Sequence, residues 1–327
     1  MRCAALLLGA ALAACATPES QRLEPAHVSA GRPAMGTVLE ITLVADDRER
    51  AHATIERCFA EVERLESIFT TWRADGELAR LNARAGTGPQ AASPELVRIL
   101  IDARGFARET EGAFDITVGP VMRLWRWAEE HGAAPSPAEI ASARASVGIE
   151  RVELDALRGT IALPAGAALD LGGIAKGWAL DRLGELLRAE GFGRALLNFG
   201  GSSLLALGAP LDAPNWRIRL GDGSVLSLRD ANVSISESLG QTFEIAGVRY
   251  GHIVDPRTSE NISREQRAIV FAESGAIAEA WSTALIVLEP EAGITAAHAR
   301  GGIEARVDAG ARVLAETPGF QLDADGG

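Results

Sequence analysis

The chain of 327 residues has 32 Lys and Arg side chains against 44 Asp and Glu, which gives a formal net charge of −12. This acidic balance argues against nucleic acid as a partner, because duplex binding depends on many Lys and Arg contacts to phosphate. Hydrophobic residues make up 47% of the chain, a fraction that supports a large core.

The first residues predict export. Arg2 precedes an apolar run, LLLGAALAA, that is too short to span a bilayer and is typical of a signal peptide. The run ends in Leu-Ala-Ala-Cys at Cys15 and resembles the lipobox of bacterial lipoproteins. That resemblance implies cleavage before Cys15, lipidation of Cys15 and anchoring in the inner membrane, facing the periplasm. An ordinary signal peptide with an incidental cysteine is the alternative.

These features define the predicted domain organisation. Residues 1–14 form the signal peptide, and residues 15–32, which are polar and contain proline, form a tether. Residues 33–320 form a single domain, because no break in composition marks a further boundary.

The rest of the chain alternates irregularly between helix and strand patterns. The segment TVLEITLV after Gly36 predicts a strand, and Arg50 to Phe69 predicts an amphipathic helix on whose apolar face Cys58 is a buried thiol. Further helices are predicted from Ser93, from the capping box at Ser136, after Gly173, from about Gly275 and from Pro290. Hairpins are predicted in residues 151–163, 216–228 and 242–254, and ARVLAET is a closing strand. The pattern favours an α/β fold of the mixed α+β kind, with largely antiparallel sheets flanked by helices.

The segment DLGGIAKG, which begins at Asp170, has the chemistry of a ligand site. Gly172 and Gly173 allow a sharp turn and close backbone approach, and they stand where a helix begins. The positive end of a helix dipole favours an anion there, and Lys176 adds a full charge. The alternative is a plain strand-to-helix turn in which Asp170 caps the helix and Lys176 is solvated.

Two loops carry further polar residues. The segment GAFDITVGP places Asp115 before a Gly119-Pro120 break, in a loop that belongs either to a site or to a turn capped by Asp115. In HIVDPRT, an ion pair between Asp255 and Arg257 accounts for two residues but leaves His252 unexplained. His252 is therefore the candidate general base, since imidazole accepts a proton near neutral pH.

The segment EAWSTAL predicts a cation site on a helix. Glu279 and Thr283 are four residues apart and share a helix face, so both side chains could reach one hard cation such as Mg²⁺. A chance pairing on a helix surface is the alternative.

Seven short motifs follow one another along the chain: MGT at Met35, FTTWRADGELARLN at Phe69, GAFDITVGP at Gly112, DLGGIAKG at Asp170, LLNFGG at Leu196, HIVDPRT at His252 and STAL at Ser282. Their succession resembles the ApbE family of FAD:protein FMN transferases, over about residues 32–288. The resemblance implies an ApbE-like mixed α/β fold and Mg²⁺-dependent transfer of FMN from FAD to a threonine hydroxyl, with release of AMP. The implied partner is a target flavoprotein with a short Ser/Thr-containing motif, as in subunits of electron-transfer complexes.

The resemblance also implies roles for individual residues. FAD contacts are implied for Met35, Trp72, Ala113, Phe114, Asp115, Asp170, Lys176 and Ile253. A Mg²⁺ site is implied for the carbonyl of Gly173 with Glu279 and Thr283, and His252 stands at the base position. The chain departs from the family at Glu279, where the family has a metal-binding aspartate, and at Trp72, which replaces a tyrosine. It also has Ser236-Glu237 where members often have Ser-Gly, and Ser202 where many have an acidic residue. Alternative functions are a Mg²⁺-dependent FAD pyrophosphatase that yields FMN and AMP, and a periplasmic FAD-binding protein without chemistry.

Lipidation of Cys15 can be tested by metabolic labelling. In bacteria fed an alkyne-tagged palmitate, the wild-type chain should take up the label and Cys15→Ser should not, because the thiol that accepts lipid is gone. Cys3→Ser is the matched control and should still be labelled, since Cys3 lies in the predicted signal peptide. An unlabelled wild-type chain would instead favour the ordinary signal peptide.

Overall fold

The computed structural model describes residues 24–322. The predicted signal peptide, Cys15 and the first part of the predicted tether lie outside the described residues. The helices are α1 (Arg48–Phe69), α2 (Glu77–Ala83), α3 (Pro94–Glu109), α4 (Gly119–His131), α5 (Pro137–Arg144), α6 (Ala175–Ala189), α7 (Gly275–Val287) and α8 (Pro290–Arg300), with a 3₁₀ turn at Ile149–Arg151. The strands are β1 (Ala26–Ala34), β2 (Thr37–Ala45), β3 (Gln90–Ala91), β4 (Glu153–Asp155), β5 (Thr160–Ala162), β6 (Ala195–Phe199), β7 (Ser203–Leu207), β8 (Trp216–Arg219), β9 (Val225–Leu228), β10 (Ala231–Glu237), β11 (Thr242–Ile245), β12 (Val248–Gly251), β13 (Arg267–Ala272), β14 (Ile303–Ala309) and β15 (Arg312–Glu316).

An eight-stranded sheet forms the centre of the fold. Its strand order is β1-β2-β6-β7-β10-β13-β14-β15, and every neighbouring pair is antiparallel. Three small antiparallel sheets join β3, β5 and β4, β8 and β9, and β11 and β12. The predicted fold class, a mixed α+β arrangement of largely antiparallel sheets flanked by helices, is confirmed.

The two faces of the large sheet are covered differently. Alternate residues such as Leu39, Ile41 and Leu43 point to one face, where they join a core formed with α1, α3, α6 and α7. On the opposite face, Trp216 and Leu226 of the β8–β9 hairpin form a smaller cluster with the sheet. The sheet is therefore packed on both faces, by helices on one and by the β8–β9 hairpin on the other.

Most of the predicted elements are present. The helix predicted over residues 50–69 begins slightly earlier, at Arg48, because Asp47 accepts a hydrogen bond from the backbone N–H of Arg50 as its cap. The hairpins predicted in residues 151–163, 216–228 and 242–254 correspond to β4–β5, β8–β9 and β11–β12. Cys58 is fully buried, and burial raises the pKa of its thiol to about 12, which confirms the predicted structural thiol.

Residues 26–32, which the sequence analysis assigns to the tether, belong to strand β1. β1 pairs with β2 from Ala26 opposite Ala45 to Ala34 opposite Thr37. Gly31 and Pro33 weaken the strand pattern in the sequence, yet an edge strand tolerates them because one side of its backbone needs no partner. The hydrophobic contact of Val28, which is 3% exposed, holds this strand against the core.

The predicted break at Gly119-Pro120 is instead the beginning of a helix. Pro120 lies in the first turn of α4, where its missing N–H costs nothing because that group would have no partner inside the helix. The buried residues Val121, Trp125 and Ala128 of α4 pack with the β11–β12 segment in a separate cluster. This packing, which depends on residues distant in sequence, fixes α4 beside the cleft described below.

Helices α6 and α7 cross with their backbones in contact. A Cβ added to Gly177 would overlap the carbonyl oxygen of Gly275, and one added to Gly275 would stand 3.0 Å from the Cα of Gly177. Asp181 of α6 stabilises the crossing, because its carboxylate accepts hydrogen bonds from the backbone N–H groups of Gly275 (2.6 Å) and Ala276 (3.0 Å). The start of α6 is thereby held against the start of α7.

Within residues 24–322, none of the helices has both the length and the apolar composition that crossing a membrane requires.

Replacement of Gly177 tests this crossing. Gly177→Ala should lower the free energy of unfolding by about 1–3 kcal/mol or more, because the added methyl group collides with backbone that cannot move aside. Gly105→Ala in α3 is the matched control, since nothing lies within 4 Å of its added Cβ, and it should be neutral or stabilising by up to about 1 kcal/mol. Urea unfolding midpoints measure both changes, and equal midpoints for the two variants would contradict the crossing.

Candidate active site

Two adjoining chambers form a continuous cleft at one end of the large sheet. The first chamber has a volume of about 710 Å³ and the second of about 700 Å³. They share a wall made of Met35, Gly36, Met122, Asp170, Gly172, Gln241, His252 and Val254. Each chamber alone has the size of a typical small-molecule site, and together they offer an extended one.

The predicted site residues converge on this cleft. Those that line the first chamber are Met35, Ala113, Phe114, Asp115, Asp170, Gly173, Lys176, His252, Ile253, Glu279 and Thr283. Trp72 lines the second chamber. Residues from positions 35 to 283 are therefore brought to one cavity by the fold.

The Met35-Gly36 turn connects β1 to β2 and reaches both chambers. Both residues have a left-handed backbone, with φ of 47° for Met35 and 78° for Gly36, as a two-residue hairpin turn requires. The Met35 N–H donates a hydrogen bond of 3.2 Å to Glu66 of α1. This contact compensates for the unfavourable backbone of a non-glycine residue and fixes the turn in the cleft wall.

The glycine segment before α6 forms a turn, but Asp170 does not cap the helix. The Asp170 carboxylate accepts a hydrogen bond of 2.8 Å from the N–H of Gly172, whereas α6 begins at Ala175 after Ile174, which provides no side-chain cap. Asn82 holds the preceding Leu169 through two hydrogen bonds of 2.8 and 2.9 Å. Asp170 therefore stabilises the glycine turn and lines both chambers.

The anion expected at the start of α6 is present, and it is a side chain of the protein. The Glu279 carboxylate, which is 3% exposed, accepts a hydrogen bond of 2.6 Å from the N–H of Gly177. Its other oxygen forms an ion pair with the half-buried ammonium group of Lys176 and accepts a hydrogen bond of 3.4 Å from Ser203. Lys176 is therefore not solvated, in contrast to the alternative raised by its sequence context.

The candidate metal residues lie together at the same place. A Cβ on Gly173 would stand 3.3 Å from the Thr283 hydroxyl oxygen and 3.2 Å from the ring of Phe114. Any residue other than glycine would therefore displace one of these neighbours. Within residues 24–322, no cluster of three or more His, Cys, Asp or Glu side chains could hold a metal ion. A cation here would depend on the Gly173 carbonyl and the Thr283 hydroxyl beside Glu279, an all-oxygen donor set that suits Mg²⁺.

Ser234 and Ser236 line the first chamber, and the sequence predicts a site role for neither of them. The hydroxyl of Ser282 lies 3.0 Å from that of Ser234 and 2.8 Å from that of Ser236, and it donates to the backbone carbonyl of Glu279. The available signal was the spacing of Ser234 and Ser236, since residues two apart on a strand share a face. Their partner on α7 could not be deduced from that spacing.

Two acidic residues stabilise turns beside the cleft. Asp115 accepts hydrogen bonds from the N–H and hydroxyl of Thr117 and from the N–H of Ile149, so the capped turn offered as an alternative is present. Asp255 forms an ion pair of 2.8 Å with Arg257, whose side chain packs beside Gly112. Both carboxylates have protein partners, although Asp115 also lines the first chamber.

The second chamber has an aromatic wall. Trp72 is 77% exposed, and the Arg126 guanidinium lies 4.3 Å from the centre of its ring. Phe243 also lines this chamber and stacks on Tyr250 of the β11–β12 hairpin, with ring centres 5.6 Å apart. An exposed indole in a cleft offers a flat surface for a planar ligand.

His252 stands where the two chambers meet and has a perturbed pKa. Enclosure by the cleft walls lowers the pKa of the imidazole, a hydrogen bond with the backbone of Gln241 raises it, and the positive charge of Lys176 lowers it. The net direction is downward. The ring is therefore neutral near pH 7 and able to accept a proton.

Comparison with known proteins gives a consistent result. A model of the ApbE family matches residues 35–307. A FAD:protein FMN transferase of Klebsiella pneumoniae (strain 342) is 30% identical over 88% of this chain and 87% of its own length, and one of Vibrio cholerae is 31% identical over 90% and 89%. The solved structure of flavin transferase ApbE from Vibrio cholerae aligns with a TM-score of 0.77 and 26% identity over 90% of this chain and 97% of that one. The apo flavinyl transferase ApbE of Pseudomonas stutzeri aligns with a TM-score of 0.79 and 26% identity over 90% and 96%.

The lowered pKa of His252 can be measured by NMR. The ring should titrate with a midpoint below the ordinary value of 6.5, and the Lys176→Met variant should move that midpoint upward because a nearby positive charge is removed. A His252→Gln spectrum identifies the resonance by its absence. A midpoint at or above 6.5, or one that Lys176→Met leaves unchanged, would contradict this account of the cleft.

Proposed function

The chain belongs to the ApbE family and is a flavin transferase, and we propose that it moves FMN from FAD to a threonine hydroxyl of a target flavoprotein and releases AMP. The observation that carries the proposal is the continuous cleft, in which the motifs from Met35 to Thr283 meet. FAD is a long dinucleotide with a planar ring at one end. A two-chambered cleft with an aromatic wall in one chamber and charged groups in the other suits such a substrate.

The proposed metal is Mg²⁺, held by the Gly173 carbonyl, Glu279 and Thr283. When bound, Mg²⁺ would neutralise negative charge on the FAD diphosphate and so favour departure of the AMP phosphate. Lys176 adds a positive charge to the first chamber, which it lines beside Glu279. Positioning and charge neutralisation account for most of phosphoryl-transfer catalysis, and the first chamber provides groups for both.

We propose that His252 is the general base. Its neutral imidazole takes the proton of the incoming threonine hydroxyl while the hydroxyl oxygen forms a bond to the phosphorus of the FMN half. The bond between that phosphorus and the bridging oxygen breaks, and AMP leaves with the bond's electron pair. The position of His252 between the two chambers supports this role, because the FMN phosphate lies between the flavin and the adenosine halves of the substrate.

The target and location of the enzyme follow from the same proposal. The acceptor is a flavoprotein subunit of an electron-transfer complex that presents a Ser/Thr-containing segment. Lipidation of Cys15 would hold the enzyme on the periplasmic face of the inner membrane, where such complexes are embedded. Targets with flavin domains on that face are therefore the first to test.

A transfer assay tests the function directly. The purified protein, FAD, Mg²⁺ and a candidate target domain should give covalent flavin fluorescence on the target and one AMP for each flavin transferred. His252→Ala should slow transfer by about 10²- to 10⁴-fold at saturating FAD, the usual contribution of a positioned base. His298→Ala, on the exposed side of α8, is the matched control and should transfer at the wild-type rate.

Three other outcomes would contradict the proposal. Free FMN and AMP without labelled target would identify a FAD pyrophosphatase. Unchanged FAD that stays tightly bound would identify a flavin-binding protein without chemistry. Full transfer by His252→Ala would leave the enzyme a transferase but remove His252 as its base.

A further inference from the structure

Lys176 is the single lysine of the chain, and every other basic side chain apart from histidine is arginine. It lies in the first turn of α6, where the helix dipole disfavours a positive charge. The fold compensates by placing the Glu279 carboxylate against its ammonium group. An ammonium group is a compact, mobile point charge, so this contact can be made and released more readily than a bidentate arginine pair.

Both oxygens of the Glu279 carboxylate have partners. Glu279 Oε1 is taken by the Lys176 ammonium group and by Ser203, and Oε2 accepts the N–H of Gly177. The side chain of Glu279 is 4% exposed and that of Lys176 is 20% exposed. A buried carboxylate that is already paired and hydrogen-bonded has little remaining attraction for another cation, since the charge of the pair sums to zero.

The length of the glutamate side chain makes this arrangement possible. The glycine crossing of α6 and α7 brings the two helix backbones into contact, and Glu279 reaches across to Gly177 and Lys176. The aspartate that the family resemblance places here is one methylene group shorter. A shorter side chain at this position would draw the carboxylate back from the ammonium group by about one C–C bond, roughly 1.5 Å.

We propose that Lys176 blocks the divalent-cation position until a nucleotide diphosphate enters the cleft. In the nucleotide-free protein, the Lys176 ammonium group takes the place of the cation at Glu279. A bound diphosphate offers Lys176 a second anion, and transfer of the ammonium group to it frees Glu279 Oε1. This inference rests on the proposed function, because it assumes that the first chamber receives a diphosphate.

The consequence is cooperative binding. A group that must leave Glu279 before a cation binds couples the two ligands, and the coupling is reciprocal by thermodynamic necessity. The nucleotide should raise the affinity for the cation, and the cation should raise the affinity for the nucleotide by the same factor. Coupling between sites typically spans about 5- to 150-fold.

Binding of Mn²⁺, followed by the EPR signal of the free ion, tests the proposal without turnover. The uncleavable diphosphate α,β-methylene-ADP should raise the Mn²⁺ affinity of the wild-type protein by about tenfold or more, after correction for Mn²⁺ held by the nucleotide itself. Lys176→Met should raise the nucleotide-free affinity by a similar factor, because the blocking charge is gone. The added effect of the nucleotide should then shrink towards onefold.

Two further variants provide an independent test and a control. Glu279→Asp keeps the lysine but shortens the carboxylate, so it should also raise nucleotide-free Mn²⁺ affinity, even if Lys176→Met fails to fold. Arg123→Met is the matched control, since it removes one positive charge from an exposed position of α4 that lines neither chamber. It should leave nucleotide-free Mn²⁺ affinity within about twofold of wild type, because a separated charge is screened by salt.

The single lysine provides a second measurement. Lysine labelled with ¹⁵N at the side chain should give one ammonium signal, which Mg²⁺ alone shifts little and which Mg²⁺ with α,β-methylene-ADP shifts clearly. Equal wild-type Mn²⁺ affinity with and without the analogue would overturn the proposal. So would unchanged nucleotide-free affinity in both Lys176→Met and Glu279→Asp, or no Mn²⁺ binding under any condition. None of these measurements includes a target protein, so their outcome does not depend on whether the protein transfers flavin.

Discussion

The backbone contact between Gly177 and Gly275 is the constraint on which the site depends. Glycine at both positions lets α6 and α7 approach more closely than any side chain would allow, and Asp181 fixes their relative position by capping α7. Burial raises the pKa of Asp181 while these N–H groups oppose that rise. The crossing brings the start of α6 against the start of α7, so that Lys176 of α6 and Glu279 of α7 line the same wall of the cleft.

The charges of the cleft are arranged locally within a strongly acidic protein. Asp115 and Asp255 are held by N–H groups or by Arg257 and stabilise turns, whereas Glu279 is paired with Lys176 at the cavity surface. Buried ion pairs contribute little to stability on balance, because desolvation offsets their attraction. Such a pair can exchange partners at little cost, which is the behaviour proposed above for Lys176 and Glu279.

Local signals in the sequence were sufficient for most of the fold. Ser93 and Ser136 are predicted helix caps, and glycines mark predicted turns between alternating strands. These signals depend on only a few neighbouring residues. The elements that they predict are present. The sequence predicts a tether over residues 26–32 of β1, because pairing with β2 stabilises this strand more than its own residues do. The sequence does not predict α4, because Gly119-Pro120 is compatible both with a break and with a helix start, and packing against β11–β12 decides between them.

The sequence by itself determined the family, through the order of seven motifs, and it identified the residue types that meet in the cleft. It also determined the hairpins and most helices, because their causes are local. Only the tertiary structure decided which of these residues contact one another. Lys176 and Glu279 are 103 positions apart, and neither helix pattern reveals its neighbour, since the approach of α6 to α7 depends on two glycines that fit each other only in space. The spacing of Glu279 and Thr283 predicts a carboxylate that is free to bind a cation. In the structure, because the two glycines bring α6 against α7, that carboxylate is paired with Lys176, the one lysine of the chain.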